Sequence, residues 1–311
     1  ESTVFADSLP LPEGILVHDD SVYVGAPPHI WKLRDTTGDH VADERSVWFD
    51  GGSIENCGND MHGPYYGADG FFYWCKGAFA PQQHQLTNGR TRTSRAAHIY
   101  RALPDGSQLE RVITGGMNNP VGLAFSTTGE RFLSGTFFDL SAPGRRDGVL
   151  HAVYGGIYGR KNPRVLAPHL ATGDLLPVLS HLGPAAPSGI VMPQSSATGL
   201  GGDLICTEFN TRRLSRHQLS HAGSSFESKV STFLESDQTD FHPTDVIEDA
   251  DGSLLVADTG SWYKICCPTS KIAKPDILGA IYRLKKKDMV QADDPRGLAL
   301  DWKNPQVEWL S

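Results

Sequence analysis

The sequence predicts an all-β protein, a β-propeller built from four-stranded antiparallel blades. A strand phrase recurs along the chain at intervals of roughly 50 to 65 residues, which is a period typical of propeller blades. Gly and Pro are abundant, with 33 and 20 residues respectively, as expected where many turns join short strands. No apolar run approaches the length of a transmembrane helix.

The repeated sequence motif begins with Pro, His or Asn, which is followed by an apolar strand. An Asp/Gly-type turn then leads into further strands. Short runs of β-branched and aromatic residues bounded by turn residues are typical of such strands. The five copies begin at Pro12, His62, Asn119, Pro187 and His242.

The first four copies each contain four predicted strands, whereas the fifth contains three. The predicted strands cover residues 15–17, 21–24, 29–33 and 46–49; 65–66, 71–74, 98–101 and 109–113; 121–125, 131–134, 148–153 and 176–179; 189–191, 203–206, 213–216 and 230–234; and 245–247, 253–256 and 280–284.

The strand missing from the fifth copy raises the question of how the ring closes. Residues 2–6 look like an outer strand, and if they complete the last blade, the ring closes with five blades and leaves no open edge. Alternatively, they belong to an upstream blade, and the parent protein has six. We expect the propeller to span residues 1–287 and residues 288–311 to form a C-terminal tail or the stub of a following domain.

Composition excludes some classes of function. The chain has 311 residues and a net charge of −8, without a basic stripe, which argues against nucleic-acid binding. Five Cys residues at irregular spacing form neither a disulfide framework nor a zinc knuckle. A pair between Cys57 and Cys75 and a vicinal pair, Cys266–Cys267, remain open possibilities.

Polar residues near the starts of the inner strands are expected to face a common cavity at the mouth of the central channel. We take His62, His242 and Asp245 as candidate catalytic residues, since imidazoles and a carboxylate can act as a general base or bind Zn²⁺ or another transition metal. The alternative is that they only satisfy water and backbone groups. Further candidates for this cavity are Asp60, Asn118, Asn119, Ser188, Glu208 and Asp258.

An acidic loop between two strands of the first copy is a candidate Ca²⁺ site. Oxygen atoms on alternate residues, with one backbone carbonyl, can wrap a hard cation. A solvated acidic hairpin is the alternative. The candidate ligands are Asp35, Thr37, Asp39, Val41, Asp43 and Glu44.

Several phrases resemble one family. Residues 5–14, 35–44, 67–70, 242–258 and 279–284 look like the propeller of planctomycete-type membrane-bound dehydrogenases, which is similar to L-sorbosone dehydrogenase and, more distantly, to soluble quinoprotein glucose dehydrogenase. The resemblance covers roughly residues 3–285. It implies six blades in the parent protein, a carbohydrate-type substrate, a periplasmic or secreted location, and a downstream haem domain or another electron acceptor outside this chain.

The same resemblance suggests pyrroloquinoline quinone (PQQ) as a cofactor. The phrase at Asn119 is similar to the one by which quinoprotein sugar dehydrogenases hold this quinone, but Asn118 stands where those enzymes have Arg. Asn cannot replace the bidentate guanidinium fork. Arg146 is the candidate positive replacement, with a surface turn as the alternative. Trp262 and Tyr263 are a candidate stacking platform for carbohydrate.

Three functions follow as hypotheses. The first is a sugar or aldehyde dehydrogenase-like propeller of a secreted multidomain redox protein. The second is a non-catalytic propeller that binds a glycan or a protein. The third is a metal-dependent lyase or hydrolase that uses the same channel.

Overall fold

A computed structural model describes residues 3–52, 61–169, 171–195, 198–260, 274 and 276–289. These residues form a nearly all-β fold, a propeller of five small antiparallel sheets. In chain order the strands are β1 (Gly14–His18), β2 (Ser21–Ala26), β3 (His29–Arg34), β4 (Glu44–Asp50), β5 (Met61–Tyr66), β6 (Phe72–Lys76), β7 (Gln82–Gln85), β8 (Thr91–Ser94), β9 (Ala97–Ala102), β10 (Glu110–Gly115), β11 (Asn119–Phe125), β12 (Arg131–Thr136), β13 (Asp147–His151), β14 (Ile157–Tyr158), β15 (Ser180–Gly183), β16 (Pro187–Val191), β17 (Leu204–Glu208), β18 (Arg213–Ala222), β19 (Ser225–Glu235), β20 (Pro243–Glu248), β21 (Leu254–Asp258) and β22 (Ala280–Leu284).

Each blade is a meander whose strands follow chain order from the inner to the outer position. Blade 1 is β1-β2-β3-β4, blade 2 is β5-β6-β9-β10, blade 3 is β11-β12-β13-β15, blade 4 is β16-β17-β18-β19 and blade 5 is β20-β21-β22. Blade 2 carries a separate hairpin of β7 and β8, and β14 extends its outer edge in parallel with β10. Helical elements in the described ranges include a 3₁₀ turn, Pro143–Arg145, and a one-turn helix α1, Pro163–Leu166.

The inner strands pack against one another in series around the centre, β1 on β5, β5 on β11, β11 on β16 and β16 on β20. They approach so closely that some positions have room only for glycine. A Cβ atom on Gly14 would lie 2.4 Å from the Gly63 carbonyl oxygen, and one on Gly122 would lie 2.4 Å from the Ser188 carbonyl oxygen. The glycines of the repeated phrase are therefore required by the tight ring of inner strands.

Apolar side chains fill the space between consecutive blades. Between blades 1 and 2, the core contains Tyr23, Ile30, Phe72 and Trp74, all buried. Between blades 4 and 5, Ile205 and Leu214 pack with Val246 and Val256. This layering follows from the period-2 alternation of strands, which gives every blade two apolar faces.

The predicted closure by the N-terminal residues is wrong for the part that the structure describes. Phe5, Ala6 and Leu9 do not form a strand of blade 5 but pack against Val24 and Leu33 of blade 1. Ala42 donates a backbone hydrogen bond of 2.8 Å to the Phe5 carbonyl, which fixes this position.

The outward faces of the two terminal blades remain apolar and exposed. On β1, Ile15 and Val17 are 69% and 68% exposed; on blade 5, Ile247 and Ile281 are 53% and 76% exposed. Within the described ranges, β20 and β1 do not form a contact comparable to those between the other inner strands.

Three further expectations need correction or lie outside the described residues. The fourth strand of blade 3 is Ser180–Gly183 rather than residues 176–179, because Pro177 has no N–H to donate to the sheet. Cys75 is a free thiol buried in the core, so it does not pair with Cys57. The tail or following domain was expected over residues 288–311, of which 290–311 lie outside the described residues, as do Cys57, Cys266 and Cys267.

Candidate functional site

One end of the propeller gathers the predicted catalytic and cofactor-binding residues. The inner strand runs in the same direction in every blade, so its start always lies at the same end of the ring. The residues placed at this end are Asn118, Asn119, Arg146, His62, His242 and Asp245. The acidic loop that joins β3 to β4 lies at the opposite end, since β3 begins beside the start of β1 and runs away from it.

The central feature of this end is an ion pair between adjacent blades. Nδ1 of His62, on β5, lies 3.3 Å from Oε2 of Glu13, the residue that precedes β1. The two side chains are 15% and 16% exposed, respectively, so the pair is largely shielded but still reachable. The contact between Nδ1 and Oε2 does not have hydrogen-bond geometry, but a carboxylate this close can stabilise positive charge on the imidazole ring.

Tyr65 adds a hydroxyl group to the same region. Its hydroxyl donates a hydrogen bond of 2.9 Å to the Val121 carbonyl oxygen on the next blade. Burial raises the pKa of Tyr65 well above its ordinary value, and the nearby Cys75, Asp245 and Glu13 raise it further. The phenol therefore stays protonated at neutral pH and acts as a hydrogen-bond donor.

Asp245 stands in blade 5 where other blades have glycine. By strand register it corresponds to Gly63 and Gly189, and a Cβ on Gly189 would lie 2.2 Å from Asp245 Oδ1. Burial raises the pKa of Asp245 to about 6, partly offset by the Val246 N–H, which donates to Oδ1 over 2.9 Å. The residue is nevertheless exposed to water at its surface, so this carboxyl group can exchange a proton near neutral pH.

His242 is held by its own blade rather than by His62. Its Nδ1 lies 2.8 Å from the Gly260 carbonyl oxygen, and its ring stacks on Phe209 of blade 4 at 4.6 Å between centroids. Asp258 Oδ1 accepts the backbone N–H groups of His242 and Gly260, each over 2.9 Å. A Nδ1–H donor to the carbonyl would make Nε2 the basic atom of His242.

The described part of the chain contains no group of three or more His, Cys, Asp or Glu side chains placed to hold a metal ion. His62, His242 and Asp245 therefore do not converge on a transition metal. Glu208 does not join them either, because it is buried in a salt bridge with Arg213, with Nε and Oε2 2.7 Å apart. Asp60, Trp262 and Tyr263 lie outside the described residues.

Asn118 is engaged by an arginine that the sequence phrase does not contain. Arg160 Nη2 donates to Asn118 Oδ1 over 2.7 Å, and Arg160 Nε donates to the Gly116 carbonyl over 3.3 Å. The adjacent Asn119 has a buried Oδ1 without a hydrogen-bond partner. A guanidinium group thus contacts Asn118, the residue that stands where the resembled enzymes carry Arg in the sequence.

Arg146, the replacement expected from the sequence, has a structural partner. Its Nε and Nη2 donate to Asp147 Oδ1 and Oδ2 over 2.9 and 2.7 Å. The Asp147 carboxylate is buried and also accepts the N–H groups of Phe137 and Ala186. Because its fork is saturated by a buried carboxylate, Arg146 is unsuited to bind a cofactor carboxylate as well.

The acidic loop organises its own backbone. Asp35 Oδ1 accepts the N–H groups of Thr37 and Gly38, and Asp35 Oδ2 accepts that of His40. Desolvation, the largest single effect, raises the pKa of Asp35, but these hydrogen bonds together outweigh it and lower the pKa. Asp43 accepts both the N–H and the hydroxyl of Thr36. The six candidate ligands form no metal group in the structure, and Ca²⁺ binding by this loop stays a prediction.

A pocket with a volume of about 500 Å³ lies over blade 3 at the channel end. It is lined by Arg160, by Asp139 and Arg145 from the segment that precedes β13, and by His181 of β15. Sequence analysis missed Glu13, Tyr65 and Arg160. Glu13 immediately precedes a predicted inner strand, so its position was a signal for the channel mouth, whereas Arg160 comes from an insertion of blade 3 that no strand pattern marks.

Comparison with known proteins agrees with the fold. Residues 1–155 match a family model described as a domain of unknown function (DUF7133). No curated protein sequence matches the chain significantly. None of the helices in the described ranges is long and apolar enough to cross a membrane.

Solved structures show similar propellers at low sequence identity. A luciferin-regenerating enzyme is 13% identical, with a TM-score of 0.53, over 91% of this chain and 80% of its own. The PQQ-bound aldose sugar dehydrogenase of Streptomyces coelicolor is 15% identical, with a TM-score of 0.46, over 90% and 96%. The soluble aldose sugar dehydrogenase of Escherichia coli, in its apo form, is 13% identical, with a TM-score of 0.42, over 82% and 95%. At these identities the likeness concerns the fold alone.

Proposed function

We propose that this chain is a sugar-dehydrogenase-like propeller that oxidises an alcohol or aldehyde group of a carbohydrate-derived substrate at the mouth of its channel. The observation that carries the proposal is the pair of His62 and Glu13, which joins a base and a carboxylate across two blades. The resemblance in sequence supplies the substrate class. It also suggests a periplasmic or secreted location and an electron acceptor, such as a haem domain, outside this chain.

The chemistry assigned to the pair is proton removal. With Nδ1 close to Glu13, His62 would take the proton of a substrate hydroxyl on Nε2, and the Glu13 carboxylate would stabilise the imidazolium that forms through its charge. Asp245 lies close enough to Tyr65 for its charge to act on the phenol and is available to a substrate oxygen, whereas the Tyr65 O–H is already donated to the Val121 carbonyl. As the carbon–oxygen double bond forms, two electrons and the second hydrogen must leave the substrate carbon as a hydride.

A quinone of the PQQ class, when bound at the channel end, would supply the acceptor for that hydride. Of the residues expected to hold it, Arg146 does not fit, because Asp147 already occupies its fork. Arg160 does fit, because within the described residues it pairs with no carboxylate and its guanidinium is held beside Asn118 by a hydrogen bond of 2.7 Å. Arg160 and Asn118 would therefore anchor a quinone carboxylate.

A non-catalytic binding propeller is the second candidate. The observation in its favour is that several polar groups at the channel end are saturated by protein partners, as Arg146 is by Asp147 and Glu208 is by Arg213. A metal-dependent lyase or hydrolase receives no support from the described residues, which hold no group of metal-binding side chains.

The two candidates are separated by loading the purified chain with PQQ, with and without Ca²⁺, and measuring bound quinone by absorbance and dye reduction with a panel of aldoses. Stoichiometric uptake with sugar-dependent reduction supports oxidation. The sugar-dependent reduction should be lost in His62→Gln and in Arg160→Gln but kept in the exposed control His221→Gln. Uptake that fails at every concentration, together with direct binding of a glycan, overturns the dehydrogenase and leaves the binding propeller.

A further inference from the structure

A pocket with a volume of about 630 Å³ lies on the outer edge of blade 2, remote from the channel. The outer strand β10 lines it along its length, together with the hairpin that contains β8 and the segment that follows helix α1. The hairpin and the segment are both insertions into the four-stranded blade pattern. The pocket therefore exists because two insertions, from blades 2 and 3, meet over the edge of one sheet.

Two arginines give this pocket a positive charge that the protein does not neutralise. Burial lowers the pKa of the Arg111 guanidinium, and the nearby Arg92 lowers it further. The acidic residue of the lining, Glu110, is already bound by Arg101, whose Nε and Nη2 donate to Oε2 over 2.9 and 2.7 Å. Within the described ranges, no carboxylate forms a salt bridge with Arg92 or Arg111.

A line of hydrogen bonds behind the pocket fixes the orientation of its third basic residue, His169. Arg111 Nη1 can only donate, so His169 Nδ1, 3.3 Å away, is an acceptor and Nε2 carries the proton. That proton is donated to Ser94 Oγ over 2.8 Å, and Ser94 in turn donates to His98 Nε2 over 2.7 Å.

The chain of hydrogen bonds ends at a carbonyl group, since His98 Nδ1 donates to the Ile113 oxygen over 3.0 Å. Every ring nitrogen in the line has a defined role, and both imidazoles are neutral at pH 7. Arg111 donates one of its five N–H groups to this network. The hydrogen bond holds the guanidinium group in place in the wall of the pocket.

The remaining lining is typical of a carbohydrate site. Tyr154 is 53% exposed at the pocket and presents an aromatic ring of the kind that stacks on a sugar face. Hydroxyl and amide groups capable of bonding sugar hydroxyls line the rest of the wall. They belong to Thr87, Asn88, Thr91, Thr93 and Thr114.

We propose that this pocket binds an acidic sugar, with the carboxylate or sulfate group held by Arg92 and Arg111 and the ring against Tyr154. Both oxyanions match the planar guanidinium fork, and a chain with a net charge of −8 would otherwise repel such a ligand. The site is separate from the channel, so the proposal does not depend on the oxidation proposed above.

The experiment is isothermal titration calorimetry with D-glucuronate, D-glucose and sodium sulfate on the same preparation. Glucuronate is expected to bind on the order of tenfold or more tightly than glucose, because only glucuronate offers an oxyanion to the guanidinium groups. Arg92→Gln is expected to remove most of that preference. Arg90→Gln, an equally exposed charge on the same hairpin, is the matched control and should leave it unchanged.

Arg111→Lys keeps the positive charge but removes the bidentate guanidinium, so it tests the two contributions separately. Circular dichroism checks that this variant is folded. If it is not folded, the preference for glucuronate is tested with Arg92→Gln alone. Competition between sulfate and glucuronate for the pocket supports the oxyanion contact. A Tyr154→Ala variant with weaker affinity for glucuronate but unchanged affinity for sulfate supports the ring contact. Equal affinity for glucuronate and glucose, or an equal loss in Arg90→Gln and Arg92→Gln, overturns the proposal. Binding of sulfate without glucuronate overturns the assignment to a sugar.

Discussion

His62 Nδ1 and Glu13 Oε2 lie 3.3 Å apart although the two residues belong to adjacent blades and are 49 positions apart in the chain (62 − 13). Glu13 precedes the first inner strand and His62 lies in the second, so the propeller ring itself forms the pair. Such a pair depends on the packing of β1 against β5 rather than on any local motif. It is the arrangement at the channel end that most directly indicates acid–base chemistry.

The first prediction concerns this pair. Glu13→Gln keeps the shape of the side chain but removes the charge that stabilises a protonated His62, so turnover should fall by about 10- to 100-fold while the fold is retained. Sugar-dependent dye reduction by the quinone-loaded chain measures the effect. Glu227→Gln, a carboxylate on the exposed part of β19, is the control and should turn over normally. A Glu13→Gln variant with unchanged turnover would remove His62 from the role of base.

Much of the fold could be predicted because its signals are local. The inner strands start within two residues of the positions expected from Pro12, Asn119 and Pro187, since Pro and Gly mark the turns and alternating apolar residues mark the faces. The hairpin of β7 and β8 was missed, although Asn88-Gly89 is a turn signal, because its strands are polar.

The candidate site was less predictable because its partners come from distant parts of the chain. The choice of His62 rested on its place beside an inner strand, but nothing near it in sequence indicated Glu13 as its partner. Arg146 looked available in the sequence, and only the structure shows that Asp147 binds it. Arg160 belongs to an insertion in blade 3 and lies 42 positions after Asn118 in the chain (160 − 118). No repeat pattern encodes this contact.

The second prediction tests the close packing of the inner strands. Gly122→Ala would place a Cβ atom 2.4 Å from the Ser188 carbonyl oxygen and 2.9 Å from Ser134 Oγ, both on crowded strands. We expect a loss of about 1–3 kcal/mol in the free energy of unfolding, measured in urea. Gly144→Ala, where a Cβ would meet nothing within 4 Å, should change it by less than about 0.5 kcal/mol. Equal effects of the two substitutions would contradict the close approach.

The third prediction concerns acid stability. Burial, with a smaller effect of Arg213, lowers the pKa of His217 from 6.5 to about 4. The folded state therefore binds fewer protons than the unfolded state between these values, so stability is full above pH 6.5 and declines as the pH falls toward 4. Its buried ring contacts Ser180 Oγ through Nδ1 and Ser215 Oγ through Nε2, at 3.0 and 3.1 Å.

We expect His217 alone to contribute about 3 kcal/mol to this decline in the free energy of unfolding, and His84 and His169 to act in the same direction. Urea titrations between pH 7 and pH 4 measure the slope. His217→Gln should flatten it, whereas His221→Gln, on the exposed end of β18, should not. An identical slope in all three proteins would show that His217 is not buried as a neutral ring.

The fourth prediction concerns Asp245, whose shift has the opposite sign. Burial raises its pKa from 3.8 to about 6, so the folded state holds a proton that the unfolded state has lost, and stability falls as the pH rises through this window.

Asp245→Asn removes the ionised form while an amide oxygen can still accept the Val246 N–H. After allowance for the contact of the side chain with water, we expect Asn to raise the free energy of unfolding by about 1 kcal/mol at pH 7 and by almost nothing at pH 3.5. Asp237→Asn, at an exposed position, should show no such difference between the two pH values. If Asp245→Asn instead destabilises the protein at pH 7, the carboxylate is held as an anion by the channel, and a cation or a proton donor must lie opposite it.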